Sequence, residues 1–188
     1  MIAVYIILGI VVLLLLFFVV IYNGLVRTRN QVKNAWAQID VQLKRRHDLI
    51  PNLVETVKGY AAHERQTLEA VTNARNLAQK AVGTGVGAQS KAEGELSSAL
   101  SRLLVVVERY PDLKANQNFL ALQEELTSTE NKISFSRQYY NDSVLTYNNK
   151  IQMFPSNIVA NLTEFKAGEF FEVTVAAERE APKVSFSQ

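Results

Sequence analysis

The amino-terminal stretch IAVYIILGIVVLLLLFFVVI, residues 2–21, decides the architecture of this chain. It contains no charged residue and consists almost entirely of isoleucine, valine, leucine and phenylalanine. About twenty such residues in an α-helix cover the roughly 30 Å hydrocarbon core of a bilayer. Tyr5 and Tyr22 lie near the two ends of the stretch, where amphipathic rings favour the membrane interface. We therefore predict a transmembrane helix here, within an anchor over residues 1–23.

A cleaved signal peptide is the alternative interpretation of the same stretch. No basic residue precedes the apolar run, and no small-x-small cleavage site follows it. Its length also exceeds that of a typical signal-peptide core. The sequence therefore favours a retained anchor and a single-pass membrane protein.

Six cations follow the span and are candidates for contact with lipid headgroups or with a partner. They are Arg27, Arg29, Lys33, Lys44, Arg45 and Arg46. No lysine or arginine precedes the span, so the positive-inside rule predicts an outside amino terminus and a cytoplasmic main domain. A solvated helix face is the alternative for the Lys44 to Arg46 cluster. No nucleic-acid partner is predicted, because aromatic residues that could stack on bases are not interleaved with these cations.

Apolar residues downstream of the span recur in alternating steps of three and four, which is typical of helices that pack along one stripe. The pattern predicts helices over residues 24–80, 91–110 and 113–154. Arg46 and His47 interrupt the first stripe once, and Pro51 predicts either a kink or a break with Asp48 capping the next helix. A glycine-rich connection over residues 83–87 and a turn at Pro111 separate the three helices.

These elements predict an all-α fold, in which the transmembrane helix is followed by an elongated three- or four-helix antiparallel coiled-coil-like bundle. The bundle domain is expected over residues 24–173, with a disordered tail over residues 174–188. The apolar segment 158–165 is expected to dock on the bundle or to touch the membrane. Residues 171–175 are the single candidate strand.

The residues that could perform chemistry are few. The chain contains no cysteine, so disulfides, thiolate metal sites and cysteine nucleophiles are excluded. His47-Asp48 and His63-Glu64 are the histidine and acid neighbours, and the second histidine of a helical zinc motif is missing after His63. We therefore predict no catalysis, no metal and no cofactor, with both histidines on polar helix faces.

Five residues are candidates for packing or for fixing the register between helices: Trp36, Tyr140, Asn141, Tyr147 and Asn148. Tyr140 and Tyr147 are one heptad apart and therefore share a stripe. A tyrosine on such a stripe can bury its ring while its hydroxyl finds a hydrogen-bond partner. Ordinary core packing and a polar ladder that sets register are both compatible with this spacing.

Several long runs of the chain resemble the LemA family of bacteria. They are YNGLV at residues 22–26, AWAQIDVQLKRRHDLIPNL at 35–53, YPDLKA at 110–115, TENKI at 129–133 and the stretch 139–155. The resemblance covers the chain from the anchor to about residue 173. It implies a bacterial single-pass membrane protein with an elongated helical bundle. The family has no established enzymatic activity, so the resemblance assigns no catalytic residues.

The sequence thus predicts a scaffold in the bacterial inner membrane that self-associates and presents a helical interaction surface. Long apolar stripes bury more surface when copies of the chain meet, which makes a homo-oligomer the expected state. The alternative is a monomeric adaptor or regulator of a membrane protease, kinase or transporter. Membrane lipid, further copies of the chain and other membrane proteins are the expected partners.

Overall fold

A computed structural model describes residues 1–172 of the chain. This part contains helices and connecting segments and no strand, which confirms the all-α prediction. The helices are α1 (Ile2–Tyr60), α2 (Arg65–Ala81), α3 (Val86–Val107), α4 (Pro111–Lys114), α5 (Gln117–Gln152) and α6 (Ser156–Leu162). The predicted tail and most of the candidate strand, residues 173–175, lie outside the described residues.

Two compact units share these helices. Unit 1 combines residues 1–40 with residues 135–170, and unit 2 combines residues 41–134 with the last described residues, 171 and 172. Helices α1 and α5 contribute to both units. The division into an anchor over 1–23 and a bundle over 24–173 stays a prediction, and α1 passes residue 23 without interruption.

Pro51 lies inside α1 and does not end it, so the alternative of a helix break at this residue is wrong. A proline within a helix lacks the N–H that would bond the carbonyl four residues earlier. That carbonyl belongs to His47, and Arg75 of α2 donates a hydrogen bond from Nε to it at 2.7 Å. The neighbouring helix thus satisfies the group that the proline leaves without a helical partner.

Unit 2 has an apolar core built from stripes of buried side chains on α1, α2 and α3. Ile50, Leu53 and Val57 of α1 meet buried residues of α2 and α3 and Phe119 at the start of α5. The α2 and α3 contributions to this core are Leu68, Val71, Ala74, Ala78, Leu96, Ala99, Leu103 and Val107. The connection between α2 and α3, residues 82–85, is short, and the two helices pack directly on each other.

The first predicted helix, over residues 24–80, is wrong as a single element, because the chain turns over residues 61–64 between α1 and α2. Backbone hydrogen bonds from Ala61 to Val57 and from Glu64 to Ala61 hold this turn. The turn brings the apolar stripe of α2 onto the core of unit 2. The free energy gained by burying these side chains exceeds the free energy lost by leaving four residues out of the helix. Gly59 is the one weak local signal.

The third predicted helix begins later than expected. Residues 111–114 form the single turn α4, and α5 begins at Gln117. Asn116 precedes α5 and accepts a hydrogen bond at Oδ1 from the N–H of Phe119, 3.0 Å away. This is the geometry of an asparagine N-cap, which satisfies one of the free donors at a helix start.

In unit 1 the chain returns through α6 along the first half of α1. Val159 and Ala160 of α6 form a buried cluster with Leu25 of α1. After α6, Glu164 has φ 56°, and the N–H of Phe165 bonds the carbonyl of Ala160 at 2.9 Å. This Schellman-type ending places Phe165 against the same cluster and starts the segment 165–172.

Candidate functional site

A buried ion-pair cluster lies in unit 2, between α1, α3 and α5. The guanidinium of Arg46 bonds Glu93 of α3 through Nη2 and Glu130 of α5 through Nη1, the latter at 2.8 Å. Nη1 also bonds the hydroxyl of Ser97 at 2.9 Å. His47 donates from Nε2 to Oε1 of Glu93 at 2.9 Å. Arg46 is only 1% exposed, and His47 and Glu93 are also buried.

Glu93 is held in its charged form by this cluster. Burial alone would raise the pKa of its carboxyl, because a charge is less stable away from water. The hydrogen bond from His47 and the positive charge of Arg46 more than offset burial, so the pKa of Glu93 lies below its ordinary value of 4.5. Both carboxylate oxygens accept bonds from the chain itself, and the cluster therefore acts as a crosslink between α1 and α3.

Arg46 was predicted to contact lipid headgroups or a partner, or else to lie on a solvated face, and both predictions are wrong because its side chain is buried. The prediction of a polar face for His47 is also wrong. Arg46 and His47 interrupt the apolar stripe of α1 because they occupy core positions of it, and Glu93 compensates their polarity from the opposite helix. A signal for this partner exists in the sequence. Extending the α3 stripe of Leu96 and Leu103 backwards by the helical period reaches Glu93, so a charge stands on the core face of each helix.

An apolar groove lies next to the ion-pair cluster in unit 2. Its volume is about 340 Å³, and its walls come from α1, α3 and α5. Four leucines and six polar side chains line it: Leu53, Ser97, Leu100, Ser101, Leu104, Gln123, Leu126, Thr127, Glu130 and Asn131. Ser97 and Glu130 also bond Arg46, so the cluster fixes two residues of the groove. Sequence reasoning missed this groove.

A tyrosine and asparagine clamp in unit 1 holds the segment 165–170 against α5. The hydroxyl of Tyr140 donates to the carbonyl of Glu169 at 2.8 Å, and that of Tyr147 to the carbonyl of Lys166 at 3.0 Å. Asn148 makes two hydrogen bonds with the backbone of Gly168. The Asn148 Nδ2 donates to the Gly168 carbonyl at 3.0 Å, and the Gly168 N–H donates to the Asn148 Oδ1 at 2.8 Å.

Both tyrosine rings of the clamp are buried, as core packing requires, while their hydroxyls bond backbone carbonyls of a non-helical segment. Burial raises the pKa of Tyr140 to about 12 and moves the pKa of Tyr147 upward as well. Trp36 of α1 packs edge-on against the ring of Tyr140, with the ring centroids 5.2 Å apart. Asn141, the remaining candidate of this group, is partly buried on α5.

The other predicted cations are exposed and do not converge on one site within either unit. Arg27, Arg29 and Lys33 are exposed on α1 in unit 1, and the Arg29 guanidinium lies 4.9 Å from the centre of the Phe165 ring. In unit 2, Lys44 is exposed, and Arg45 forms an exposed ion pair with Glu125 of α5. Within residues 1–172, no group of three or more histidine, aspartate or glutamate side chains is arranged to hold a metal.

Helix α1 is long and apolar enough at its amino-terminal end to cross a membrane, and the side chains of that stretch are uncovered. This agrees with the transmembrane helix predicted from the apolar stretch 2–21. Together with the relatives below, it describes a membrane-associated, single-pass helical protein.

Comparison with known proteins identifies relatives of the chain. The chain is 30% identical over 161 residues to protein LemA of Metamycoplasma hominis, covering 81% of this chain and 72% of the relative. It is 26% identical to magnetosome protein MamQ 2 of Paramagnetospirillum magneticum and 27% identical to magnetosome protein MamQ of Magnetospirillum gryphiswaldense. Both alignments cover 84% of this chain and 66% of the relative. The model of the LemA family matches residues 35–186, and the chain therefore belongs to the LemA family.

Proposed function

We propose that this protein is a membrane-anchored, non-catalytic scaffold that self-associates and presents a helical surface to other proteins. The observation that carries the proposal is the apolar groove of unit 2 together with the exposed apolar side chains beside it. Leu104 lines the groove, and the next residue of α3, Val105, is 71% exposed. Leu120 of α5 is exposed as well, on the side of that helix that carries Gln123 and Thr127 of the groove.

A second copy of the chain is the partner that we assign to this surface. In a two-fold symmetric dimer the same patch meets itself, so a patch that has both a hollow and a protruding side chain can be self-complementary. The groove supplies the hollow, and Val105 supplies the protruding side chain. Removing these apolar groups from water would favour association at roughly 25 cal/mol per Å² of buried surface.

Self-association is tested by substituting Leu104→Glu in the full-length protein, with mass photometry in lipid nanodiscs and in two detergents. A charge on the groove wall is expected to raise the dissociation constant of the dimer about ten-fold or more, since about 1.4 kcal/mol corresponds to a factor of ten in that constant. Leu77→Glu is the matched control, because Leu77 is 52% exposed on α2 and does not line the groove. A wild-type protein that is monomeric in every condition would contradict self-association.

A monomeric wild-type protein would favour the adaptor alternative. Lys44→Glu with Arg45→Glu then tests whether the exposed cations recruit a partner in pull-downs. Arg46 is unsuitable for this test, because its guanidinium is buried and its reversal would disrupt unit 2.

The proposal includes a placement in the membrane. We infer that the protein lies in the bacterial inner membrane, with its amino terminus outside. The helices that follow the span then lie in the cytoplasm. The support is the asymmetry of the flanking cations, since exposed Arg27, Arg29 and Lys33 all follow the span. Their side chains would contact anionic lipid headgroups on the cytoplasmic face.

A further inference from the structure

Helix α6 and the turn before it carry large apolar side chains that the protein leaves uncovered. Met153 and Phe154 lie in the turn, and Phe154 is 79% exposed. Ile158 and Leu162 are also exposed and lie four residues apart in α6, so they share one face of the helix. The opposite face is buried through Val159 and Ala160. The element is therefore apolar on both sides.

The buried face of α6 fixes the position of the element along the membrane span. Val159 and Ala160 cluster with Leu25, and Phe18 and Ile21 of α1 pack against the same cluster. Phe18 and Ile21 belong to the last apolar residues of the stretch 2–21. Helix α6 thus lies beside the end of the span, and both elements carry exposed apolar side chains.

Aromatic and cationic side chains lie near the end of the span, where α6 packs on α1. The Tyr22 ring stacks on Phe18 with centroids 6.4 Å apart and meets the Phe165 ring edge-on at 5.8 Å. The Arg29 guanidinium lies over the Phe165 ring, 4.9 Å from its centroid. The Lys150 ammonium is so close to α1 that a Cβ on Gly24 would lie 2.6 Å from it. Aromatic rings and cations at the end of a span are typical of the headgroup region.

We propose that α6 and the Met153-Phe154 turn form a second membrane contact, lying in the interfacial layer of the bilayer that α1 crosses. Phe154, Ile158 and Leu162 contact the upper acyl chains, while Arg29 and Lys150 face lipid phosphates. Interfacial helices bury their apolar face about 5–10 Å into the boundary between headgroups and acyl chains. Lipid is favoured over a protein partner because α6 packs beside the end of the span, so its exposed apolar side chains lie at the level where the span reaches the membrane surface. The inference depends on the span of α1 and is independent of self-association through unit 2.

The absence of cysteine allows a direct test in the full-length protein. Single variants Phe154→Cys, Leu13→Cys and Phe135→Cys are labelled with the environment-sensitive dye NBD and reconstituted in vesicles of phosphatidylcholine and phosphatidylglycerol. A lipid with a nitroxide near the top of its acyl chain then quenches dyes in the interfacial layer. Leu13 reports the span itself. Phe135 is the matched control, since it is the same residue type in the same unit and is 73% exposed on α5.

The dye at residue 154 is expected to emit at shorter wavelength than the dye at residue 135. The shallow nitroxide should quench it at least as strongly as the dye at residue 13, which lies near the middle of the span. Water-like emission and no quenching at residue 154 would overturn the proposal. A blue-shifted dye at residue 154 without quenching would also overturn it, since the element would then be covered by protein. Quenching at residue 135 equal to that at residue 154 would show nonspecific adsorption and count against it equally.

Discussion

At the residue scale, Arg46 is the side chain on which unit 2 depends most. Replacing it by methionine keeps the apolar stem and leaves the buried Glu93 carboxylate with His47 as its remaining partner. Losing one partner of a buried ion pair typically costs about 3–5 kcal/mol, because the other charge stays buried without full compensation. We expect Arg46→Met to lower the thermal unfolding midpoint of the full-length protein in detergent strongly, as followed by far-ultraviolet circular dichroism.

The adjacent arginine is the control for that change. Arg45 pairs with Glu125 at the surface, where such a pair contributes about 0–1 kcal/mol, so Arg45→Met should be nearly neutral. Removing both buried charges, with Arg46→Met and Glu93→Leu together, should restore part of the lost stability. Equal effects of Arg46→Met and Arg45→Met would show that the buried cluster does not hold α1 to α3.

Tyr140 links stability to alkaline pH. Its folded-state pKa is raised from 10.0 to about 12 by burial, so its contribution is complete below about pH 10 and is lost as the pH rises towards 12. Tyr140→Phe removes the hydrogen bond to Glu169 and should cost about 0.5–1.5 kcal/mol at neutral pH. This difference from wild type should shrink and then reverse between pH 10 and 12 in melting curves. Tyr139→Phe, which removes an exposed hydroxyl, should show no such reversal.

At the element scale, Pro51 and Arg75 form a testable pair. Arg75→Met leaves the His47 carbonyl without its donor and should cost about 1–3 kcal/mol. In the Pro51→Ala background the alanine N–H can make the missing helical bond, so the same substitution should cost much less. A double-mutant cycle on thermal midpoints measures this coupling. Identical costs in both backgrounds would mean that Arg75 acts through some other contact.

The same element shows how far local sequence signals extend. The heptad stripe correctly places Ile50, Leu53 and Val57 in a core, and the proline rule alone predicts a disturbance at Pro51. The carbonyl that Pro51 leaves without a helical partner bonds a donor from α2, which the local sequence does not show. The turn after Tyr60 has a similar cause, since the packing of α2 on α3 determines it and only Gly59 hints at it locally.

At the scale of the whole molecule, the apolar span and the all-α class follow directly from composition and periodicity. The candidate sites do not, because they depend on which helices meet. Arg46 looks like part of a basic surface cluster until Glu93 of α3 faces it, and Tyr140 and Tyr147 acquire their partners only when the chain returns after α6. The groove beside Leu104 likewise needs three helices to form its walls.

Orientation in the membrane is the property of the whole chain that most directly limits its partners. Gln66 is exposed on α2, so Gln66→Cys in the cysteine-free chain gives one accessible thiol. If the flanking cations set the orientation, a membrane-impermeant maleimide should label it only after cells are permeabilised. Neutralising Arg27, Arg29 and Lys33 while adding lysines before the span should create a population labelled in intact cells, because the charge asymmetry is then inverted. Labelling of the Gln66→Cys variant with its native flanking cations in intact cells would place the main domain outside, where cytoplasmic partners could not reach the groove.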